Sequence, residues 1–258
     1  MKARGLVLPA LALVAWELTA RLGWLPANWL PAPTAVAQTL LDLAQSGELL
    51  QHVLSTLLRL MVGFSLGAVL GTCFGVSCGR SPKLRALLDP SIQALRSIPS
   101  LAWVPLFLLW LGIQETSKVA LIAVGAFFPV YLNLLSAIST IDRRLIEVGM
   151  MNGYSGWALS RYVLIPAATP AYLTGLRSGL GLSWMFVVAA ELLGASRGLG
   201  YLMVDGQSTG RIELVLAAIV TFALLGKLSD QLLQAVELKL EPWRALQSAD
   251  SQPTLLRK

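Results

Sequence analysis

Residues able to do chemistry are few in this chain and scattered along it. The single histidine, His52, has no Cys, Asp or second His at ligand spacing, so it reads as a solvated or packing histidine and not as a metal ligand. Cys73 and Cys78 lie five residues apart, which on a helix turns them about 140° away from each other. Core packing is expected for both, with neither a disulfide nor a metal pair. The nearest approach to a G-x-x-x-x-G-K-S/T phosphate loop is Gly226-Lys227-Leu228, which lacks the first glycine and the hydroxyl. ATP hydrolysis by this chain is therefore not expected. No G-x-S-x-G elbow, H-E-x-x-H helix or carboxylate cluster is present to support acyl transfer, metalloprotease or acid-base chemistry. The expectation is a chain with no catalytic residues, no metal site and no cofactor of its own.

The elements carrying these residues belong in lipid. Hydrophobic residues make up 55% of the chain and charged ones only 13%, and the mean hydropathy is +0.67. Apolar segments run from Leu6 to Leu22, Leu57 to Ser77, Leu101 to Ile113, Val119 to Ile138, Leu176 to Gly194 and Leu214 to Val236. A helix needs about 20 such residues to cross the hydrocarbon core. The pattern predicts an all-α polytopic membrane protein with six transmembrane helices in one domain, residues 1–258. The third segment is short unless it begins inside Ser97-Ile98-Pro99-Ser100, and the sixth carries Lys227 and Asp230.

A net charge of +6 and a pI near 9.6 would suggest nucleic acid in a soluble protein, but here the placement of the charges carries the information. With a cytoplasmic N-terminus, 14 of the 20 basic residues fall on the inner side, from Lys2 and Arg4 through Arg96, Arg143, Arg161 and Arg177 to Arg244, Arg257 and Lys258. The outer loops then hold Arg21, Arg59, Lys118, Arg197 and Arg211. Both termini are expected in the cytoplasm, with lipid and not nucleic acid as the partner. Lys2 and Arg4 ahead of the first apolar segment also suit a signal peptide. Trp16 and Glu17, however, stand where an uncharged run and a small-residue cleavage site belong.

Gly63, Gly67, Gly71, Gly75 and Gly79 recur at every fourth residue of the second segment, each about 40° round from the last, and form a groove that lets another backbone approach. Packing within one subunit, a dimer contact and a substrate path are all compatible with it. After Pro31 and Pro33, Thr34 is expected to cap a short amphipathic helix carrying Val36, Leu40, Leu41 and Leu43 on the outer surface. Glu17, Glu191 and Lys227 are the main ionisable residues inside the segments, too few for a proton or sodium relay, with snorkelling or a local salt bridge the default for each. Glu191 leads into the glycine-rich turn from Gly194 to Tyr201, a candidate outer gate.

The most patterned polar stretch lies between the fourth and fifth segments. Asp142 can cap a helix in which Leu145, Ile146, Val148 and Met151 form an apolar stripe, with Arg143, Arg144 and Glu147 facing away. Gly153 breaks that helix, and a second one from Ser155 to Leu164 is expected to end before Pro166. Tyr154, Ser155 and Trp157 then stand at a corner. A membrane chain without its own motor that presents such a knob is built to dock into a partner.

At these residues the sequence resembles the permease subunits of binding-protein-dependent ABC importers. Their loop reads E-A-A, three residues, G, nine residues, then I-x-L-P, and Glu147, Gly153, Val163, Ile165 and Pro166 fall in register. Val148 and Gly149 replace the two alanines, and Val163 and Ile165 the aliphatic pair. Further segments are similar to the aliphatic sulfonate, taurine and nitrate branch, among them Leu88-Asp89-Pro90-Ser91-Ile92-Gln93-Ala94-Leu95-Arg96 and Gly198-Leu199-Gly200-Tyr201. Leu224-Leu225-Gly226-Lys227-Leu228-Ser229-Asp230 is similar to the sulfonate members, whereas Glu115-Thr116-Ser117-Lys118 and Ala190-Glu191-Leu192-Leu193 are similar to the taurine ones.

The resemblance implies a type I ABC importer permease fold in the bacterial cytoplasmic (inner) membrane. It also implies a second permease copy, most simply a homodimer, two cytoplasmic ATPase subunits holding ATP and Mg, and an extracytoplasmic substrate-binding protein. Residues 141–170 would be the ATPase-coupling loop, with Gly153, Tyr154, Ser155 and Trp157 in the ATPase groove and Glu147 and Pro166 shaping the helices. A small organic anion, an aliphatic sulfonate or taurine, would be the cargo, with nitrate or another small solute as the alternative. For an anion the path needs donors: Arg96, Ser97 and Pro99 at the inner mouth of the third segment are candidates, beside Glu191. Arg96 equally serves positive-inside orientation. A self-sufficient channel or secondary carrier is the competing class and would transport without an ATPase.

Overall fold

In the computed structural model of the chain, residues 4–23, 26, 29–99 and 102–240 are described. Lys2, Arg244, Arg257 and Lys258, counted above toward orientation, and Ser100 and Leu101 at the expected start of the third segment lie outside them. Every regular element among the described residues is helical. In chain order these are α1 (Arg4–Arg21), α2 (Pro33–Gln45), α3 (Glu48–Arg80), α4 (Pro82–Arg96), α5 (Trp103–Leu111), α6 (Glu115–Ser139), α7 (Arg143–Met151), α8 (Gly156–Leu159), a π turn at Ser160–Leu164, α9 (Ile165–Leu192), α10 (Leu199–Ser208) and α11 (Ile212–Leu240).

Among the described residues four helical runs are long and apolar enough to cross a membrane: Glu48–Arg80, Glu115–Ser139, Gly156–Leu192 and Ile212–Lys239. They contain the second, fourth and sixth expected segments, and the fifth except for its last two residues. The first is the 18-residue α1, with Pro9 inside it. The third is only nine residues of helix, α5, a rise of about 14 Å that falls short of a bilayer core. Its upstream neighbour is a separate amphipathic helix, α4, which Ser81 caps by accepting from the Leu84 amide at 3.3 Å and which Pro82 starts.

Several charges counted by side of the membrane stand within the long helices. Arg177 lies inside α9, Arg59 inside α3 and Lys118 inside α6. His52, expected in a polar stretch, is in α3 as well. Pro166 does not end a helix. It is the second residue of α9, where a missing amide costs little, and the wider π turn just before it eases the clash between its ring and the preceding turn.

The chain forms two compact units. The first contains residues 1–62, 104–121 and 185–225. Its apolar centre is Leu43, Leu199, Leu202, Leu214 and Ala218. Thr34 does not cap α2 as expected; Ala32 is the N-cap residue. Instead Glu17 of α1 reaches over, accepting from the Thr34 amide at 3.1 Å and hydroxyl at 2.9 Å, and so satisfies the first turn of α2 from outside it.

Among the described residues the second unit contains 63–99, 102–103, 122–184 and 226–240. Here the glycine repeat resolves into packing within the subunit, against α6. A Cβ added at Gly71 would stand 2.8 Å from the Phe127 carbonyl oxygen, one at Gly75 3.2 Å from that of Tyr131, and one at Gly79 2.9 Å from the Ile138 side chain. Cys78 is buried with Ile92, Tyr131 and Leu135, while Cys73 is exposed and free. Tyr131 donates to Asp89 at 2.8 Å, tying α4 to α6.

Candidate functional site

The loop between α6 and α9 belongs to the second unit and is built as a projecting corner. Asp142 caps α7 by accepting from the Arg144 amide at 2.9 Å. Gly153 then stops α7 with a φ of +80°, a conformation that needs glycine. Around it the Gly153 amide donates to the Met150 carbonyl at 2.9 Å and the Tyr154 amide to that of Gly149 at 3.1 Å. The Ser155 carbonyl accepts from Ala158 at 3.1 Å, and Tyr154 stacks on Tyr162 with centroids 5.2 Å apart. Pairing of Glu147 with Arg143 at 3.2 Å stays on the surface. Pro166 is exposed at the start of α9.

The apolar stripe expected on α7 is not turned inward. Leu145, Val148 and Met151 are exposed, Met151 at 87%, and Ile146 is half-buried. What α7 buries is Gly149, where an added Cβ would meet Leu159 and Val163 at 2.8 Å. A glycine in place of the second family alanine therefore lets α7 sit closer on the following turn. Met150, Met151, Trp157 at 68% and Tyr162 remain as an exposed apolar cap, uncovered by the described residues. Such a concentration of exposed large side chains marks an interaction surface.

Sequence reasoning missed a buried charge cluster in the first unit. Glu191 is 1% exposed and accepts from three partners. Arg59 donates to it at 2.7 Å, Thr56 at 2.9 Å and the Gly200 amide at 2.8 Å, while Thr56 in turn accepts from the Leu199 amide at 2.9 Å. The N-terminus of α10 thus points its free amides at the carboxylate and at the threonine that holds it. Arg59 also grips Glu115 with two nitrogens, and Lys118 reaches Glu115 at 2.9 Å. Gly198 has a φ of +124°, and its amide donates to His52 Nδ1 at 3.0 Å; the His52 ring stacks on Tyr201. The two positive and two negative charges cancel, and every carboxylate oxygen of Glu191 is bonded within the protein. Glu191, a candidate for the substrate path and by default for a local salt bridge, is enclosed here, paired with Arg59 and bonded to the turn after Gly198. The available signal was Arg59 and Glu191 both lying within apolar segments.

The other expected path residues are at the C-terminal end of α4 in the second unit. Arg96 is exposed and donates to Gln93 at 3.4 Å, and the Ser97 hydroxyl donates to the Gln93 carbonyl at 3.0 Å. Pro99 is exposed beyond them. A further ion pair, Arg177 with Asp230, joins α9 to α11 in this unit at 2.9 Å. No group of three or more His, Cys, Asp and Glu among the described residues is arranged to hold a metal.

Long apolar helices together with a projecting two-helix knob at the spacing of Glu147, Gly153 and Pro166 point to the class of transport permease subunits. Residues 71–242 match the family described as binding-protein-dependent transport system inner membrane component, and the chain belongs to that family. It is 42% identical over 93% of its length, and 87% of the relative's, to the putative aliphatic sulfonates transport permease protein SsuC of Bacillus subtilis. It is 40% identical to the protein of the same name in Escherichia coli, over 94% of this chain and 93% of that one. The taurine transport system permease protein TauC of Escherichia coli is 35% identical over 91% and 87%. The fold is similar to a chain of the MetNI methionine ABC transporter, with a TM-score of 0.56, 22% identity, and 70% of this chain and 92% of that one covered. The chain is thus a multi-pass membrane permease component of an ABC transport complex.

Proposed function

We propose that the chain carries a small sulfonate, an aliphatic sulfonate or taurine, across the cytoplasmic membrane as one half of a permease homodimer driven by two separate ABC ATPase subunits, which bind the ATP and Mg. Both termini face the cytoplasm, and an extracytoplasmic binding protein delivers the cargo. The observation carrying this reading is the loop: Glu147, Gly153 and Pro166 stand at family spacing on a knob whose Met151 and Trp157 are exposed, uncovered by the described residues. Buried in a partner's groove, such side chains supply most of an interface's affinity. The relatives named for aliphatic sulfonates are more similar to the chain than the one named for taurine, which orders the two cargoes.

Rigid-body transmission then follows from the short loop: capped by Asp142, stopped at Gly153 and continuous through the π turn into α9, it passes displacement of the knob to a 28-residue helix. The test is co-expression with the neighbouring ATPase and binding protein, followed by uptake of alkanesulfonate into proteoliposomes. Uptake is expected to need all three components and ATP, and to be lost with Gly153→Asp. Uptake by the permease chain alone would instead establish a channel or secondary carrier.

A further inference from the structure

Where the knob meets the long helices, the second unit encloses a cavity of about 190 Å³. Trp157 of α8 lines it together with Val76 of α3, Leu134 of α6, and Ala168 and Tyr172 of α9. All of these belong to the one unit. An apolar cavity of about 150 Å³ already takes benzene, so this one has room for a single short alkyl chain and not for a two-chain lipid.

Its polarity is one-sided. Thr72, Val76 and Arg80 line it at every fourth residue of α3, which sets Thr72 and Arg80 about 12 Å apart along the helix. At the Thr72 end the hydroxyl protons are committed. Thr72 shares its hydroxyl with the Ala68 carbonyl at 2.7 Å and the Tyr172 hydroxyl at 3.1 Å. One proton serves one acceptor, so with the Thr72 proton on Ala68 the Tyr172 proton fills the contact between the two hydroxyls. Thr169, also on the lining, donates to the Ile165 carbonyl at 2.8 Å. No hydroxyl donor there is left over for an anion. At the other end stands Arg80, the last residue of α3, exposed and the one charged side chain among the described lining residues. No carboxylate among the described residues forms an ion pair with it.

A guanidinium at one end and apolar walls between suit a ligand with a single anionic head and a single apolar tail. The planar fork of Arg80 matches the oxygens of an oxyanion, and Val76, Leu134 and Ala168 offer the tail a surface away from water. Such a ligand touches the knob through Trp157 and the long helices through Val76 and Leu134. Its binding and the seating of the knob in a partner are therefore linked, each biasing the other by the same factor.

We propose that this cavity is a binding seat for an alkanesulfonate with a tail longer than taurine's, the alkyl chain lying among Val76, Leu134, Trp157 and Ala168 and the head group on Arg80. The seat for a single-chain anion stands on the geometry of the cavity; sulfonate as its head group rests on the reading given above.

The test uses the full permease chain assembled with its ATPase in phosphatidylcholine vesicles, without the binding protein, which would itself take up the probes. Val76→Cys, on a Cys73→Ala background, is labelled with a small neutral thiosulfonate; Thr169→Cys repeats the measurement from another helix. Hexanesulfonate is expected to slow labelling about tenfold at a concentration about ten times its Kd. Ethanesulfonate, with too short a tail, and hexylammonium, with the opposite charge, are expected to leave it unchanged. Equal slowing by all three, slowing by none, or no labelling at either position overturns the seat. Adding Arg80→Gln is expected to weaken protection by hexanesulfonate about tenfold, the loss of one charge-assisted hydrogen bond, with the unfolding midpoint in place. A lowered midpoint with unaltered protection would make Arg80 a helix-end charge and overturn the head-group assignment. Protection by phosphatidylglycerol in place of hexanesulfonate would give the cavity to an anionic lipid and overturn the alkanesulfonate. Uptake of hexanesulfonate by the complete transporter without protection at V76C or T169C overturns the seat and leaves the sulfonate reading standing. Protection without any such uptake overturns that reading and upholds the seat for a single-chain anion.

Discussion

The knob of the second unit and the charge cluster of the first solve opposite problems with similar residue types. Both turn on a glycine of positive φ: Gly153 stops α7 at +80°, and Gly198 starts α10 as its N-cap residue at +124°. At Gly153 the surrounding large side chains, Met151 and Trp157, are left facing out, and the one charge pair, Arg143 with Glu147, lies on the surface. At Gly198 the charges are the buried part: Arg59, Lys118 and Glu191 are all under 10% exposed and bonded to one another or to a shared partner. A segment meant to meet a partner keeps its apolar groups uncovered and its ions solvated. A segment meant to stay in place does the reverse.

Substitutions that remove one side of each arrangement test that contrast. Arg59→Ala leaves Glu191 charged and enclosed, so it is expected to cost about 3–5 kcal/mol. Thermal unfolding of the detergent-solubilised protein should show it, and an unshifted midpoint would mean the cluster is not a staple. Gly198→Ala imposes a side chain on a backbone conformation that disfavours it and pushes it into Glu191 and Arg59, a cost of about 1–3 kcal/mol by the same measurement. Trp157→Ala is expected to leave the unfolding midpoint in place and weaken association with the ATPase by about 2 kcal/mol, roughly thirtyfold in Kd, read by co-purification or titration. Destabilisation without loss of association would erase the contrast from the other side. Glu147→Gln removes only an exposed pair and should cost no more than about 0.5 kcal/mol of stability.

Much of this was readable beforehand because membrane burial leaves a coarse signature. Apolar runs located the four long helices, the Asp142 cap and Gly153 stop came from residues with a local mechanism, and the glycine repeat announced a close backbone approach. What failed depended on partners distant in sequence. Thr34 looked like a cap because its own hydroxyl suffices, yet Glu17 from α1 does the work. Pro166 looked like a terminator because nothing in sequence announces a π turn. Arg59 was counted with the outer loops and Arg177 with the inner side because counting charges by side takes no account of a charge carried inside an apolar segment and paired across helices. The stripe on α7 obeyed helical periodicity, but periodicity says only that one face is apolar, not whether this chain or another covers it.

The meeting of α3 and α6 in the second unit has one more consequence. Along Gly71, Gly75 and Gly79 the helices are held at a spacing set by missing methyl groups, with carbonyl oxygens and Cβ atoms of α6 directly opposite. Long side chains can swivel and share a displacement among many torsions; a seam of bare backbone has no such slack. A push received by either strip of that seam is handed over whole to the other, so any give in the unit must be found elsewhere, where side chains and not backbones make the contact.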